Sequence, residues 1–499
     1  MIQQLYLFFQ VYPSLLLMVS GALCALAFAP YHLQFFAVIG FSVLFYHLTT
    51  LDKAKTAFWR GWLFGVGFNI ANLYWIGNSF ITVDLWYFAP LGMIIFPCLM
   101  AFFPAIVTSL TVKLTFSNIS RLFAFCLLWS LTDWLKGWIF TGFPWTLMGY
   151  IWNENELQMT AYIGIYGLSA LTIFIVSVIG SRSWRLISTG VVMFVCLWAS
   201  GHYRLSQYKL EETGVNLRIV QASISQKEKW QSIHFSDNLN KWIALSTLPA
   251  ERPLKAIIWS ESSVPAFLSE YPGIRKNITT AIPPGGYIIL GSPQKIINAD
   301  KSVQYRTSTL VLNEIGDILA TYDKSHLVPF GEYIPFKNIV GFSKLTAGSE
   351  NYSPGDGVKN IKLPNIPLFT PLICYEAIFS GEVVPTDKKP EWMMNQTNDA
   401  WYGESSGPYQ HLNIVRVRAI EEGTPLIRSA NNGISAVIDP MGQILHRLEL
   451  NEIGFIDFDL PKSLAIPTFF SRYHHLGFWL IMIAYGLLTL LFRNNKRLN

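Results

Sequence analysis

Apolar segments of almost bilayer-spanning length recur along the first part of the chain, up to about Gly201, and once more near its end. A helix needs about 20 consecutive apolar residues to cross a bilayer. Of the 499 residues, 51% are hydrophobic and 14% are charged, whereas soluble domains carry about a quarter charged residues. Much of the chain must therefore face lipid. We predict eight membrane spans, at about 13–29, 34–51, 60–82, 86–112, 122–142, 160–180, 186–201 and 475–492.

The connections between these spans differ in their basic residues. Connections rich in lysine and arginine stay in the cytoplasm, and every second connection has none, namely 29–33, 83–85 and 142–159. We therefore expect both termini in the cytoplasm and the long insert after the seventh span on the other side, which is the periplasm if the host is a bacterium. The basic residues that support this topology are Lys53, Lys55, Arg60, Lys113, Arg121, Arg182, Arg185, Arg493, Lys496 and Arg497.

Two groups of polar residues interrupt the apolar spans. Asp133 and Lys136 lie one helical turn apart in the fifth span, so they can form an ion pair. Ionisable groups at that depth usually face a protein interior or a wet cavity, and both a structural pair and part of a lipid headgroup site stay open. Asn69, Asn72 and Trp75 in the third span are expected to serve helix packing and the membrane interface.

The insert from about residue 214 to residue 465 has a different pattern. Short β-branched and apolar runs alternate with Gly/Pro-rich turns and helical stretches, such as 410–422, which is typical of one α/β domain. We predict a membrane domain at 1–213, an extracytoplasmic domain at 214–465, and a C-terminal helix and tail at 466–499. The predicted strands include Val215–Val220, Ala256–Trp259, Tyr287–Leu290, Thr307–Leu312, Leu372–Cys374, Trp392–Asn395 and Ile434–Ile438.

One long segment of the insert, 336–364, is rich in Gly, Ser, Asn and Pro and has no strong periodicity. Loops of this length in a compact domain are commonly lids or binding arms, and disorder is the alternative.

The cysteines and the charge exclude several classes of site. Four of the five cysteines lie in apolar segments and only Cys374 lies in the insert, so a disulfide within the insert is impossible. With a single cysteine, a metal site in the insert would depend on histidine and carboxylate ligands. We expect no metal site. The net charge of +5 is small for this length and gives no indication of nucleic-acid binding.

Three polar residues follow apolar runs of the insert. Glu261, Lys324 and Cys374 could each be structural, as a solvated strand end, a surface turn and a small buried side chain. Together they supply a base, a cation and a thiol at strand ends of one domain. That set is what acyl transfer through a thioester requires.

These residues, in their surroundings, resemble the Glu-Lys-Cys triad of the nitrilase (carbon–nitrogen hydrolase) superfamily. Six separated motifs, together with the layout of seven spans, insert and one span, resemble more narrowly the apolipoprotein N-acyltransferases, a membrane-embedded branch. The resemblance covers nearly the whole chain. The motifs are Thr141–Trp145, Trp259–Pro265, Asp323–Pro335, Ile373–Glu376, Asn395–Trp401 and Arg428–Gly433.

The resemblance implies a nitrilase-like α-β-β-α sandwich joined to a polytopic, eight-helix membrane domain in a bacterial inner membrane. It also implies an activity: transfer of an acyl chain from a phospholipid to the α-amino group of the N-terminal diacylglyceryl-cysteine of an apolipoprotein, the last step of lipoprotein maturation. The reaction would be ping-pong, through a cysteine thioester, without a cofactor. We expect the phospholipid donor, the apolipoprotein acceptor and the bilayer as partners, and a monomer.

The resemblance also implies roles for individual residues. Cys374 would be the nucleophile and Glu261 the proton carrier. Lys324 would stabilise the negative oxygen of each tetrahedral intermediate, together with a backbone N–H near Tyr375. Glu332 would orient Lys324 or Glu261.

Further motif residues are expected to shape the pocket. Tyr375 and Glu376 are supporting residues, and the substrate-binding candidates are Trp230, Asn398 and Trp401. For Tyr375 and Trp401, packing alone is the alternative. The first motif departs from the family by having two serines, at 262 and 263, and the loop after Gly291 is short; both leave acyl-chain and headgroup preference open.

Two other functions remain open from the sequence. One is a membrane-tethered nitrilase-type amidase that hydrolyses a small substrate. The other is a transporter or receptor whose insert is a catalytically inactive binding module. The intact triad argues against the second, although Asp133 and Lys136 would suit it.

Overall fold

The computed structural model describes residues 13–334 and 351–493. Those residues fall into two compact units. The first comprises the chain up to Asn78, Tyr87–Tyr208, and Thr468 onwards, and the second comprises Ser79–Trp86 and Lys209–Pro467.

The first unit is helical throughout. Within the described residues, three helices are long and apolar enough to cross a membrane: Trp86–Leu114, which is built from consecutive helical pieces, Thr160–Ser181 and Trp184–Gln207. Its α-helices are Pro13–Leu23, Phe35–Thr49, Ala54–Leu73, Phe96–Met100, Phe102–Leu114, Asn118–Lys136, Glu154–Leu157, Thr160–Ser177, Trp184–Gln207, Phe469–Tyr473 and Leu476–Leu491. Each of the eight predicted spans overlaps one or more of these helices, but the number of membrane crossings stays a prediction.

Apolar side chains on the helix Trp184–Gln207 face outward. Val191, Val192 and Val195 are each more than half exposed, and a helix with such a surface needs an apolar environment. This helix is therefore a good candidate for contact with lipid.

A buried arginine of the first unit is held by backbone carbonyls. The Arg121 guanidinium donates to the carbonyl oxygens of Leu48 and Leu51, at 2.6 and 3.0 Å, where the helix Phe35–Thr49 leaves carbonyls without partners. Arg121 therefore lies buried in the first turn of a helix, not in an open connection.

The polar residues predicted within the spans are also engaged. Lys136 Nζ lies 2.6 Å from Oδ1 of Asp133, so these two residues form the ion pair that their spacing allows. Asn72 donates to the carbonyl of Phe68, and the indole of Trp75 donates to the carbonyl of Asn72, both at 2.9 Å. Both hydrogen bonds lie within one helical segment, and the expected role of these residues in packing between helices stays a prediction.

The second unit contains two six-stranded sheets in its described part. The first sheet has the order β12-β1-β2-β3-β4-β5, and the second has the order β11-β10-β9-β8-β7-β6. In each sheet three neighbouring strands run parallel, β1-β2-β3 and β7-β8-β9. The strands are β1 Glu212–Gln221, β2 Ala256–Ile258, β3 Tyr287–Ile297, β4 Val303–Asn313, β5 Ile318–Asp323, β6 Ile361–Leu363, β7 Ile366–Ile373, β8 Trp392–Thr397, β9 Leu426–Ala430, β10 Ser435–Ile438, β11 Ile444–Leu448 and β12 Gly454–Pro461.

Apolar side chains from both sheets form one core between them, with Ile219 and Ile258 from the first sheet and Phe369 and Trp392 from the second. The helix Phe235–Ser246 packs on the outer face of the first sheet, and Gly407–Glu422 packs on the outer face of the second. The unit is thus an α-β-β-α sandwich, as predicted. Its described α-helices also include Gln226–Lys229 and Pro272–Ile278.

Cross-sheet hydrogen bonds bring together the carboxyl ends of the parallel strands. Gln396 Nε2, in β8, donates to the carbonyl oxygen of Trp259 just past β2, at 2.6 Å. Ser429, in β9, donates to the carbonyl of Ile258 at 3.4 Å. Side chains that follow β2, β7 and β8 therefore meet at one end of the sandwich, the usual place for a site in such sheets.

Candidate active site

Cys374 stands at the carboxyl end of β7. The strand ends at Ile373, and Cys374 opens a short 3₁₀ turn that runs to Ile378. Its φ of 52° lies in the left-handed region, which costs energy for a residue with a Cβ and is common at functional sites. The side chain is 6% exposed. The predicted strand Leu372–Cys374 therefore extends one residue too far, because the chain turns at Cys374.

Glu261 follows β2 in a tight turn. The turn packs against β3 so closely that a Cβ at Gly291 would come within 2.3 Å of the backbone nitrogen of Ser262. Gly291 is therefore required there, and its N–H donates to the carbonyl of Ser260 at 3.2 Å. Ser263 donates back to the carbonyl of Gly291. These contacts direct Glu261 inward, where it is 9% exposed.

Lys324 lies one residue past β5 and is 1% exposed. Its Nζ is 2.9 Å from Oε2 of Glu332 and 3.7 Å from Oε1 of Glu261. Glu332 is itself held by Val328, whose N–H donates to Oε2 at 2.8 Å, and by the hydroxyl of Thr307. Of the two predicted options, Glu332 therefore contacts Lys324 directly.

The thiol of Cys374 and the carboxylate of Glu261 lie within electrostatic reach of each other, because each shifts the pKa of the other. Burial, reinforced by the charge of Glu261, raises the pKa of Cys374 to about 12. Burial also raises the pKa of Glu261, although the Lys324 ammonium opposes this effect. The resting thiol is thus protonated and lies next to a base that can remove its proton.

The charge of Lys324 is secured by its neighbours. Burial alone would lower the pKa of Lys324, but the carboxylates of Glu332 and Glu261 outweigh burial and raise that pKa above its ordinary value. The ammonium is therefore a permanent cation beside the thiol, as stabilisation of a developing oxyanion requires.

Glu376 fastens the turn of Cys374 to the segment that carries Lys324. Its Oε1 accepts hydrogen bonds from the hydroxyls of Tyr322 and Ser325 and from the N–H groups of Ser325 and His326, at 2.7 to 3.2 Å. Its Oε2 accepts from the N–H of Ile373 at 2.6 Å. Glu376 is thus engaged within the protein and sets the distance between the two turns.

Tyr375 lies in an aromatic cluster next to the thiol. Its ring packs edge-on against His326 and Phe379, with centroids 5.7 and 5.2 Å away. Burial raises the pKa of Tyr375 above its ordinary value. These contacts give the side chain a packing role, which was the open alternative.

The three substrate-binding candidates are placed differently. The Asn398 amide donates to Gln226 at 2.8 Å and accepts from Asn431 at 3.2 Å, so both of its polar atoms are occupied. Trp230, which follows the helix Gln226–Lys229, and Trp401 are both partly exposed.

A second polar network lies behind the thiol, and Thr397, Asp399 and Arg428 in it belong to two of the sequence motifs. Thr397 lowers the pKa of Cys374, against the larger effect of burial, and its hydroxyl donates to Oδ1 of Asp399 at 3.0 Å. Asp399 also binds Arg428 at 2.6 Å and lies 3.0 Å from His411. Burial would raise the pKa of Asp399, but Arg428 and His411 outweigh it and lower that pKa to about 2.

The predicted arm, 336–364, is described only from residue 351 onwards, and 335–350 lie outside the described residues. The described part is not a free loop, because β6 pairs with β7. Tyr352 donates its N–H to the carbonyl of Glu332, and Gly355 donates to that of Lys324. Burial raises the pKa of Tyr352, and the charges of Glu332 and Glu261 raise it further. Tyr352 is a neighbour of the site that the sequence did not single out.

No cluster of three or more His, Cys, Asp or Glu side chains that could hold a metal ion occurs among residues 13–334 and 351–493.

Two family models match this chain. Residues 20–178 match the apolipoprotein N-acyltransferase N-terminal domain, and residues 216–468 match the carbon-nitrogen hydrolase family. A solved amidase of the nitrilase superfamily from Nesterenkonia AN1 is 16% identical, with a TM-score of 0.37, over 50% of this chain and 92% of that one.

Curated relatives match over nearly the full length. The apolipoprotein N-acyltransferase of Rickettsia prowazekii is 36% identical, over 96% of this chain and 99% of the relative. That of Rhodopseudomonas palustris is 34% identical, over 96% and 95%. The chain belongs to the apolipoprotein N-acyltransferase family.

Proposed function

We propose that this protein transfers an acyl chain from a phospholipid to the α-amino group of an N-terminal diacylglyceryl-cysteine on an apolipoprotein. The observation that carries the proposal is the meeting of Cys374, Glu261 and Lys324 in one buried site, where the Lys324 ammonium lies 3.7 Å from the Glu261 carboxylate. A thiol, a base and a fixed cation in one buried site are the groups that thioester chemistry needs.

The first half of the reaction makes the acyl-enzyme. Glu261 takes the proton of Cys374 as the sulfur attacks the ester carbonyl carbon of the phospholipid. The negative oxygen of the tetrahedral intermediate is stabilised by Lys324, together with a backbone N–H near Tyr375. When the intermediate collapses, the C–O bond breaks and Glu261 returns the proton to the departing alkoxide. A thioester and a lysophospholipid result.

The second half forms the amide. The neutral α-amino group attacks the thioester carbonyl carbon, and Glu261 removes a proton from the nitrogen. Collapse breaks the C–S bond, and the sulfur of Cys374 recovers the proton from Glu261. Because donor and acceptor react in turn at one thiol, the kinetics are ping-pong.

Transfer is favoured over hydrolysis when water is kept from the thioester. The thiol is 6% exposed, and excluding water from a reactive intermediate suppresses its hydrolysis. Apolar helices hold the enzyme in the same membrane as its two lipid-anchored substrates, which raises their effective concentration at the thiol.

The supporting residues have distinct parts in this proposal. Glu332 orients Lys324, and Glu376 joins the Lys324 and Cys374 turns. Tyr375 packs beside the thiol. Trp230 and Trp401, which are partly exposed, contact lipid or peptide. Asn398 supports Gln226 and Asn431 rather than a substrate, since both of its polar atoms are engaged.

The proposed location is a bacterial inner membrane, crossed eight times, with a monomeric enzyme. Domains at 1–213, 214–465 and 466–499 would comprise seven spans, the periplasmic catalytic domain, and the last span with a cytoplasmic tail. A reporter fused to the C-terminus should be active in the cytoplasm. Activity of the same reporter only in the periplasm would contradict this topology.

The activity is tested with purified protein in detergent, a phospholipid and a synthetic diacylglyceryl-cysteine peptide. The proposal predicts a peptide heavier by one acyl group, formed with release of lysophospholipid. The product should be absent with Cys374→Ala and normal with Cys196→Ala, because Cys196 is an exposed cysteine of the helical unit. Release of free fatty acid instead, with no acylated peptide, would identify a hydrolase.

A further inference from the structure

A second lysine, Lys229, is buried close to the active site. It ends the four-residue helix Gln226–Lys229 that follows β1. Its neighbour Lys227 is exposed and pairs with Asp84 at 2.7 Å, whereas Lys229 is 3% exposed. A lysine is almost never buried to this degree unless an interaction compensates for the loss of water.

The contact that Lys229 makes is with the active-site turn. Its Nζ donates to the backbone carbonyl oxygen of Glu261 at 3.0 Å. The ammonium has three N–H donors, and among the described residues this is the one hydrogen bond found for it. The charged and titratable groups that face Lys229 are Glu261 and Cys374, and both favour its charged form. The ammonium thus lies within electrostatic reach of the base and of the nucleophile.

Counting charges shows what this ammonium contributes. Glu261 and Glu332 are two buried carboxylates, and Lys324 alone leaves them with one uncompensated negative charge. Burying such a charge is costly. Lys229 makes the resting site neutral. The site stays neutral after the proton moves from Cys374 to Glu261, because the negative charge then resides on sulfur or on the substrate oxygen.

We propose that Lys229 is a positioning residue of the acyl-transfer site, which holds the Glu261 turn through its carbonyl and keeps the Glu261 carboxylate ionised for proton removal. The inference rests on the proposed function for its place in the reaction. Its basis is the contact with Glu261, the burial and the charge count.

The predicted effect has a direction that simple loss of packing does not share. Lys229 lowers the pKa of Glu261, so a neutral residue at this position raises that pKa. More Glu261 is then protonated at neutral pH and cannot accept the thiol proton, so the acidic limb of the rate profile moves to higher pH. Burial lowers the pKa of Lys229 itself to about 8, against the opposing charges of Glu261 and Cys374. Mildly alkaline pH should therefore begin to remove its effect.

Alkylation of Cys374 by iodoacetamide tests this without any lipid substrate. The full-length protein, Lys229→Met, Lys229→Arg and the control Lys227→Met are alkylated across a range of pH, and the Cys374 peptide is quantified by mass. We expect Lys229→Met to move the acidic limb up by about one pH unit, which slows alkylation by about tenfold at pH values on that limb. In Lys229→Arg and Lys227→Met the acidic limb should lie at the same pH as in the parent protein.

An unmoved acidic limb in Lys229→Met would overturn the proposal, as would equal defects in Lys229→Met and folded Lys229→Arg. If Lys229→Met does not fold, Lys229→Arg still decides. Arginine keeps its charge, so Lys229→Arg should show the acidic limb at the same pH as the parent protein, and a limb displaced to higher pH would count against the proposal. A parent protein with the expected alkylation profile but no acylation by phospholipid would contradict only the proposed function.

Discussion

The ammonium of Lys324 lies 2.9 Å from a carboxylate oxygen of Glu332. It is farther, 3.7 Å, from the carboxylate of Glu261. The closer carboxylate therefore orients the cation and leaves the base free to exchange a proton with Cys374. The two glutamates therefore have different roles, which can be tested by changing each residue separately.

Glu332→Gln should slow acylation of Cys374 and move its pH profile. Burial raises the pKa of Glu261 and the charge of Glu332 raises it further, so removing that charge lowers the pKa and shifts the acidic limb to lower pH. The maximal rate should fall roughly tenfold, short of the about 100- to 1,000-fold loss expected on removing an oxyanion donor. Stopped-flow acylation measures both effects, with the exposed Glu251→Gln as control. A limb displaced to higher pH would contradict this assignment.

Cys374 should remain a thiol well into alkaline solution. Burial raises its pKa to about 12, whereas an ordinary thiol ionises near about 8.5. The ultraviolet absorbance of thiolate, taken as the difference between the parent protein and Cys374→Ser, should show no step up to about pH 10. A step near neutral pH would mean that a preformed thiolate, rather than proton removal by Glu261, supplies the nucleophile.

Glu376→Gln should destabilise the second unit and impair catalysis together. The carboxylate accepts hydrogen bonds from Tyr322, Ser325, His326 and Ile373, and an amide can replace only one of its two oxygens. Leaving buried donors unpaired costs about 1–3 kcal/mol each. Thermal unfolding of the full chain should show a lower Tm than in the exposed control Glu212→Gln. An unchanged Tm would show that the two turns are joined by other contacts.

Thr397→Val should reduce the reactivity of Cys374 while leaving the fold intact. Thr397 lowers the pKa of the Cys374 thiol, against the dominant effect of burial, and valine removes the Thr397 hydroxyl at nearly constant shape. We expect alkylation by iodoacetamide to slow by about tenfold, and Thr397→Ser to retain the parent rate. Thr247→Val, at an exposed helix end, is the matched control. Equal rates for Thr397→Val and the parent would exclude a role for this hydroxyl.

The sequence predicted the parts of the site that local pattern reveals. Glu261, Lys324 and Cys374 each follow an apolar run, and those runs are strands β2, β5 and β7 in whole or part. Strands β5, β6, β9, β11 and β12 were not predicted as strands, because each combines apolar with charged or small residues and is recognised by its pairing partners.

Residues that depend on tertiary contacts were missed. In the sequence, Lys229 is one of several charged residues in a polar turn. Only the fold places its ammonium next to the backbone carbonyl of Glu261. Tyr352 likewise reaches the site from the end of the arm, and nothing in the immediate sequence distinguishes these two residues from ordinary surface positions. Thr397, in β8, lies in the Asn395–Trp401 motif, but its contact with Asp399 is visible only in the fold.

In the proposed reaction Cys374 carries the acyl chain between two substrates, so isolation of the acyl-enzyme is the decisive experiment. The purified protein is incubated with a phospholipid of defined acyl chains, without acceptor, and then analysed by intact mass and peptide mapping. We expect one acyl group in thioester linkage on Cys374, absent in Cys374→Ala and discharged by a diacylglyceryl-cysteine peptide but not by water. A parent protein that forms no adduct on Cys374, yet acylates the peptide, would contradict the proposed reaction.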